Sequence, residues 1–295
     1  MPAPDARALM TLRTRIERLL EPIGRKLNFR FYFVRFQPYY WPIPDRRSLD
    51  DALWSRRSEL PGVDMNDAGQ ARLLERFRAT YSNEYETIDR AFGEVDAQVL
   101  YCMLRRYKPA RMIEVGSGAS TRLSAAALLK NASEAPARAA CDFTAIDPHP
   151  SGDVRAGFAG LTRLLERRVQ DVPPETFMEL AENDVLFIDS SHVLAIGSDV
   201  QYEFLEIIPR LKPGVLVHVH DVFLPAEYPK RWVVDGRFWD EQYLLQAFLA
   251  FNDRFEVLWA GHWMHLNHPE QLRAAFSTYD PARAAPGSFW MRRVK

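Results

Sequence analysis

The sequence predicts an α/β protein with a doubly wound sheet of seven strands and helices on both faces. Between residues 111 and 293, short apolar runs rich in β-branched residues alternate with segments of helical periodicity. One run, Arg111–Val115, stops at Gly116 and Gly118 and restarts as a helix, which opens a βαβ unit. Several later runs end in an acid, as expected where parallel strands bind a ligand beyond their carboxyl ends. The predicted fold is therefore Rossmann-like.

Composition excludes several classes of protein. The net charge of −1 argues against a general nucleic-acid binder, because such proteins carry a basic excess. The two cysteines, Cys102 and Cys141, suggest no disulfide framework and indicate a reducing compartment. The first twenty residues lack a signal-peptide pattern, and no apolar run is long enough to span a membrane. We therefore expect a cytoplasmic protein.

Residues 1–108 are predicted to form an N-terminal helical and aromatic extension that lies on the substrate side as a lid. Residues 5–27 show amphipathic helical spacing, and the apolar stripe would pack on the domain or on a second subunit, which makes a homodimer plausible. The aromatic, proline-interrupted segment 29–45 is unsuited to a central strand. It either packs on the core or forms a wall over a substrate pocket. Helices are expected over 70–81 and 85–106.

Residues 109–295 hold the predicted sheet. Its strands are expected at 111–115, 143–146, 164–169, 184–188, 215–220, 255–260 and 288–293. The third strand is the weakest, because Arg167 and Arg168 would suit a helix or a sheet edge equally well. Helices are expected at 120–130, 173–180, 199–211 and 238–251.

Acids at the strand ends are the candidate ligand-binding residues. Asp147 ends the second strand, where an acid can accept hydrogen bonds from ribose hydroxyls, although a turn acid before Pro148 would also fit. Asp171 follows the third strand and is assigned to the adenine edge of the same ligand. Glu114 lies inside an apolar strand and needs a donor, which a cationic or hydroxylated ligand could provide.

A second group of candidates follows the fourth and fifth strands. Asp189 and Asp221 would be neighbours, and converging carboxylates need a positive charge between them, such as a divalent cation. His192 lies at the same rim and is a candidate general base. His220 is either a third metal ligand or part of the sheet packing. His218 shares its face of the strand, and one of these two histidines is expected to be structural.

The segment from Glu114 to Ser120, Glu-Val-Gly-Ser-Gly-Ala-Ser, resembles the first motif of class I methyltransferases that use S-adenosylmethionine. The resemblance implies that Glu114 lies near the amino group of the cofactor. It also implies that the loop residues Gly116, Ser117, Gly118 and Ser120 contact the cofactor together with the strand-end acids Asp147, Asp171 and Asp189.

The segments Asp189-Ser-Ser-His192 and His220-Asp221 resemble the metal and base motifs of metal-dependent O-methyltransferases that act on macrolide sugars or cephamycin-type compounds. This implies O-methylation of a small molecule, either a sugar or a secondary metabolite, with Asp189 and His192 catalytic. Asp189, His220 and Asp221 would be the ligands of a divalent metal. Those families commonly have a glutamate where His220 stands, and a histidine favours a softer ion than Mg²⁺. The resemblance runs from about Met112 to the C-terminus and, more loosely, covers 40–45.

Two other functions remain open from the sequence. A nucleotide-dependent oxidoreductase could use a similar sheet, although Thr121 stands where its G-x-G-x-x-G motif requires a third glycine. A non-catalytic scaffold could bind S-adenosylmethionine and use the aromatic N-terminal segment as an interface. Retention of NAD would favour the oxidoreductase. Cofactor binding without turnover, insensitive to changes at His192 or Asp189, would favour the scaffold.

Overall fold

The computed structural model describes residues 15–16, 19–23, 26, 43–44, 49–85, 92–137 and 139–295. The chain divides into two units, Met1–Ser48 and Leu49–Lys295. In the first unit, the described residues between 15 and 26 are helical, where the sequence predicts an amphipathic helix. The predicted aromatic wall lies outside the described residues except for Ile43 and Pro44, and its role as a lid remains a prediction.

A seven-stranded sheet forms the centre of the described part of the second unit. In spatial order the strands are β3 (Arg163–Leu165), β2 (Asp142–Ile146), β1 (Arg111–Val115), β4 (Val185–Ile188), β5 (Leu216–Val219), β7 (Phe289–Arg293) and β6 (Phe255–Ala260). All neighbours are parallel except β7, which is antiparallel to both β5 and β6. Strand order reverses between β1 and β4, so the ligand crevice is expected beyond their carboxyl ends.

Helices cover both faces of the sheet. In chain order they are α1 (Asp67–Tyr85), α2 (Glu94–Tyr107), α3 (Ala119–Glu134), α4 (Gly152–Arg155), α5 (Pro174–Met178), α6 (Asp199–Tyr202), α7 (Lys230–Val234), α8 (Glu241–Leu249), α9 (Gly261–Asn267) and α10 (Pro269–Ala275). A π-helical turn, Glu203–Ile207, directly follows α6. No helix in the described part of the chain is both long and apolar enough to cross a membrane.

The core lies in two layers, one on each face of the sheet. On one face, Phe77 of α1 and Leu100 of α2 pack in the same cluster as Phe187 of β4. On the other face, Ile188 and Phe204 belong to a second cluster. Every residue of β4 and β5 is buried, as expected for parallel strands covered on both sides. This confirms the predicted sheet with helices on both faces, and it shows that α1 and α2 contribute to the same core.

Two predicted elements differ from the observed ones. The third strand ends at Leu165, because the exposed residues Arg167 and Arg168 lead into a short 3-10 turn that begins at Val169. The helix predicted over 199–211 is three short pieces rather than one. Its central π turn includes Glu203, which is fully buried and accepts a hydrogen bond from Ser190 Oγ at 3.0 Å.

Candidate functional site

The glycine loop after β1 is packed from one side and open on the other. Gly116 has a φ of 90°, and a Cβ there would lie 2.1 Å from the backbone oxygen of Asp189, so this position requires glycine. A Cβ at Gly118 would meet no described atom within 4 Å. The Gly118 N–H donates to Thr121 Oγ1 at 2.8 Å, which ties the loop to the first turn of α3. The open side leaves room for a ligand close to the backbone.

Glu114 is buried directly behind this loop. Its Oε1 accepts a hydrogen bond from Ser120 Oγ at 2.5 Å, whereas its Oε2 is buried with no hydrogen-bond partner among the described residues. Burial raises the pKa of Glu114 to about 8, although hydrogen bonds from Ser120 and Thr121 partly oppose the shift. A ligand ammonium group near Oε2 would supply the missing partner, so this residue fits the amino end of S-adenosylmethionine.

Glu114→Gln is expected to stabilise the ligand-free protein at high pH. Because the folded-state pKa is about 8 and the ordinary value is 4.5, the stability contributed by the neutral carboxyl is complete below pH 4.5 and is lost as the pH rises through 8. Glutamine stays neutral, so the variant should gain roughly 1–3 kcal/mol over the wild type at about pH 9 and almost nothing at about pH 4.5. Chemical denaturation at both pH values measures this. Equal free energies of unfolding for the wild type and the variant at about pH 9 would contradict a raised pKa of Glu114.

A cavity of about 540 Å³ lies over the glycine loop. Its walls are formed by residues 115–117, 146–149, 168–170, 189–191 and 198–199, which join the ends of β1, β2 and β4. Asp147 lies on this wall and is half-buried. Its Oδ2 accepts from Ser117 Oγ at 2.5 Å, and its Oδ1 accepts from the His149 N–H at 2.7 Å. These contacts fix the carboxylate at the rim, where its remaining lone pairs can accept from ligand hydroxyls.

Asp171 is placed differently from Asp147. It is exposed, it does not line the cavity, and both of its oxygens pair with the Arg168 guanidinium at 2.9 Å. That ion pair lowers the pKa of Asp171. The neighbouring Gln170 lines the cavity instead, and its amide donates to the Gly197 carbonyl at 3.0 Å. Gln170 therefore lines the cavity and Asp171 does not, and the assignment of Asp171 to the adenine edge of a ligand stays a prediction.

The three predicted metal ligands converge beyond β4 and β5. Asp189, His220 and Asp221 each offer a ligand atom, and all three atoms lie within 4.8 Å of one another. His220 Nδ1 is 3.4 Å from Asp189 Oδ1 and 3.6 Å from Asp221 Oδ1. Two carboxylates and one imidazole suit a divalent cation of intermediate softness, so this donor set fits a metal. Asp189 also lines the cavity over the glycine loop, so it joins the two sites.

His220 faces a third carboxylate on its other side. Its Nε2 lies 3.6 Å from Asp96 Oδ2, and the Phe92 ring stacks on the imidazole with centroids 4.2 Å apart. Asp96 also accepts hydrogen bonds from the backbone N–H groups of Gly287 and Ser288, at 2.9 and 3.1 Å. Burial lowers the pKa of His220, but Asp189 and Asp96 outweigh it and raise the pKa well above its usual range. Metal-binding histidines commonly have such a carboxylate behind them.

His192 is buried between this cluster and a further carboxylate. Its Nε2 is 3.4 Å from Asp189 Oδ1 and 3.7 Å from Asp221 Oδ2, while its Nδ1 is 2.9 Å from Glu241 Oε2. The φ of His192 is 60°, a strained conformation for a residue with a side chain. Burial opposes a charge on the ring, but the hydrogen bonds to Asp189 and Glu241 raise the pKa of His192 to about 10. His192 is therefore an imidazolium at neutral pH in the ligand-free protein.

His218 is the structural histidine of the pair on β5. Its ring stacks between Phe187 and Trp290, with centroids 4.1 and 4.3 Å away. It is fully buried, and neither ring nitrogen has a hydrogen-bond partner among the described residues. Burial lowers its pKa well below the usual range, so it stays neutral. His220, just past the end of the strand, takes the position at the rim.

A second cavity, of about 550 Å³, opens on the far side of Asp96. It is lined by residues 93–96, at the start of α2, and by residues 278, 280 and 283–286, before β7. Asp96 therefore lies between this cavity and His220, whose Nε2 atom is 3.6 Å from Asp96 Oδ2.

Sequence reasoning missed two acids of the site, Asp96 and Glu241. Both lie in the first turn of a helix, α2 and α8 respectively. Acids are common there because they interact favourably with the helix dipole, so the pattern gives no reason to single them out. Their distinguishing property is burial, since Asp96 is 6% and Glu241 1% exposed.

Part of the chain is similar to known proteins. Residues 113–222 match a protein-family model described as a methyltransferase domain. An uncharacterized protein of Archaeoglobus fulgidus is 26% identical over an alignment of 165 residues, and the match covers 49% of this chain and 72% of that protein.

Several solved structures are similar. One is the O-methyltransferase TomG from Streptomyces achromogenes, involved in tomaymycin synthesis and in complex with SAM, with a TM-score of 0.43 and 17% identity over 79% of this chain and 92% of that chain. Another is CalS11, a TDP-rhamnose 3'-O-methyltransferase of calicheamicin biosynthesis. Its TM-score is 0.44 and its identity is 14%, and the match covers 83% of this chain and 99% of that chain. A third is CmcI with Mg and SAM. Its TM-score is 0.34 and its identity is 16%, and the match covers 68% of this chain and 72% of that chain.

Proposed function

We propose that the protein methylates a hydroxyl group of a small-molecule acceptor, a sugar or a secondary metabolite, with S-adenosylmethionine as donor. The match of residues 113–222 to a family model described as a methyltransferase domain supports this proposal. The position of Asp189 carries this proposal. Its side chain lines the cavity over the glycine loop and is also one corner of the three-ligand cluster. A methyl donor in the first site and an acceptor oxygen at the second would therefore lie next to each other.

The residues around the glycine loop would hold the cofactor. The open face of Gly118 admits it, Asp147 is placed to accept from its hydroxyls, and Glu114 has a buried oxygen without a partner for its ammonium group. When bound, S-adenosylmethionine supplies a methyl group on a sulfonium, which is transferred by in-line displacement. The protein then contributes mainly the alignment of donor and acceptor and the removal of one proton.

The cluster would hold a divalent metal through Asp189, His220 and Asp221. A cation bound there would orient the acceptor hydroxyl and lower its pKa. The imidazole ligand favours an ion softer than Mg²⁺, such as Mn²⁺. Asp96 behind His220 would keep the Nδ1 atom of that ring directed into the cluster.

We assign the removal of the acceptor proton to His192. Glu241 holds its Nδ1 side, so Nε2 is the atom that faces Asp189 and Asp221. These two carboxylates stabilise the imidazolium in the ligand-free protein. A cation held by Asp189 and Asp221 would weaken that stabilisation, so that His192 could release its Nε2 proton to solvent and Nε2 could then accept the proton of the acceptor hydroxyl. We further propose a cytoplasmic location, which the low cysteine count supports.

Calorimetric titration with S-adenosylmethionine tests the cofactor assignment. The wild type should bind it and should not retain NAD. Asp147→Asn should weaken binding roughly tenfold or more, because charge-assisted hydrogen bonds to hydroxyls are lost. Asp171→Asn is the matched control and should change the affinity less than about threefold, since Asp171 lies outside the cavity. No heat with S-adenosylmethionine would contradict the proposed function. Equal losses in the two variants would contradict the role of Asp147 alone.

A further inference from the structure

An aromatic surface extends outward from His192. The Trp239 ring lies 4.3 Å from the His192 ring at 41°, and Trp232 meets Trp239 edge to face at 5.1 Å. Phe223 is buried behind Trp232, with centroids 5.2 Å apart. Trp232 and Trp239 are half-buried. The two indoles therefore present a firmly backed apolar surface beside the cluster.

Arg237 lies over this surface. Its guanidinium carbon is 5.1 Å from the centroid of Trp232 and 5.4 Å from that of Trp239. The turn that brings it there contains Gly236, with a φ of 94°, and is closed by the Arg237 N–H, which donates to the Trp232 carbonyl at 2.9 Å. The ring distances of 5.4 and 4.3 Å place the guanidinium within about 10 Å of the His192 imidazole.

The structure describes every residue of the segment 227–240. Arg237 differs from the other charged side chains of this segment in its partners. Each of the others has an ion pair or hydrogen bond: Glu227 with Tyr243, Lys230 with Asp51, Arg231 with Asp235, and Asp240 with the Leu194 N–H. Arg237 has no side-chain hydrogen bond or carboxylate partner among the described residues. Its charge is held in place by stacking alone, and the edge of the guanidinium, which carries the donors, stays open.

We propose that the methyl acceptor is a hydroxylated ring compound that carries an anionic group, a carboxylate or a phosphate. This rests on the proposed function. The ring would lie against Trp232 and Trp239, its hydroxyl would point toward His192 and the cluster, and its anion would pair with Arg237. A stacked guanidinium is weakly hydrated and oriented in advance, and its fork of N–H groups matches both anions. The distance from Arg237 to His192 suits one ring with one acidic substituent.

Matched neutral and anionic probes test this assignment. Calorimetry with S-adenosylmethionine and Mn²⁺ present would compare protocatechuate with its methyl ester, and glucuronate and glucose monophosphate with glucose. We expect an anionic probe to bind at least about tenfold more tightly than its neutral partner. The two sugar acids show whether a carboxylate or a phosphate is preferred. In Arg237→Gln the ratio should fall to about one, whereas Arg237→Lys should retain part of it.

Arg231→Gln is the matched control, because Arg231 lies in the same segment and its side chain is 90% exposed and pairs with Asp235. It should keep the wild-type preference. Equal affinity for neutral and anionic probes, binding of no anionic probe, or a preference that survives Arg237→Gln would overturn the proposal. Binding of S-adenosylmethionine alone is measured first in every variant. If the wild type did not bind S-adenosylmethionine, that would count against the proposed function. If it bound the cofactor but showed no preference for anionic probes, that would count only against the role of Arg237.

Discussion

Asp189→Asn is expected to weaken Mn²⁺ binding at least about a hundredfold and to abolish detectable methyl transfer. The carboxylate is one of the three cluster ligands and also contacts His192 and His220, at 3.4 Å each. Burial opposes its charge, yet the hydrogen bonds of these two histidines hold the pKa of Asp189 well below its usual range. It is therefore ionised at neutral pH, and asparagine removes a full negative charge from the site.

Electron paramagnetic resonance of Mn²⁺ measures the expected loss directly, because free and bound ions give different signals. Asp253→Asn is the control, since Asp253 is exposed and pairs with Lys295 far along the chain. It should bind Mn²⁺ as the wild type does. Unchanged Mn²⁺ affinity in Asp189→Asn would show that the cluster is not the metal site. Chelation of the wild type should stop methyl transfer while leaving S-adenosylmethionine bound.

His192→Asn is expected to lower kcat by roughly a hundredfold to ten-thousandfold on any hydroxylated acceptor that the wild type methylates. The asparagine side chain can still form a hydrogen bond with Glu241, but it cannot take the proton of the acceptor hydroxyl. The affinities for S-adenosylmethionine and Mn²⁺ should stay within about threefold, because His192 is placed as a base and not as a ligand. Turnover with labelled S-adenosylmethionine gives kcat, and the two affinities come from separate titrations.

The control for this variant is His268→Asn. His268 also pairs with a carboxylate at 2.7 Å, but its partner is Asp67, which is not a residue of the cluster. It should leave kcat unchanged. If His192→Asn lost Mn²⁺ binding together with turnover, His192 would be a fourth metal ligand. A kcat equal to that of the wild type would exclude both roles.

Local sequence determined the centre of the fold and the family. Strands β1 and β6 lie where the sequence predicts them, because a run of apolar residues bounded by a helix, a glycine or a proline defines a buried strand without reference to distant residues. The glycine loop and the strand-end acids resemble those of class I methyltransferases, and the match of residues 113–222 to a family model described as a methyltransferase domain agrees with that expectation. The convergence of Asp189, His220 and Asp221 was also predictable, because parallel strands end at one edge of a sheet.

Only the tertiary structure decided which side chains complete the site. Alternation along β5 and the residue after it places His218 and His220 on one face. His218 is structural, because its ring stacks between Phe187 and Trp290. His220 follows the last residue of the strand and faces the cluster. Glu241 reaches His192 across 49 residues. Helix and strand periods are set by neighbours within a few residues, whereas such pairs depend on how whole elements pack. No local pattern encodes that packing, so the sequence specified the rim of the sheet and the packing selected the groups that act there.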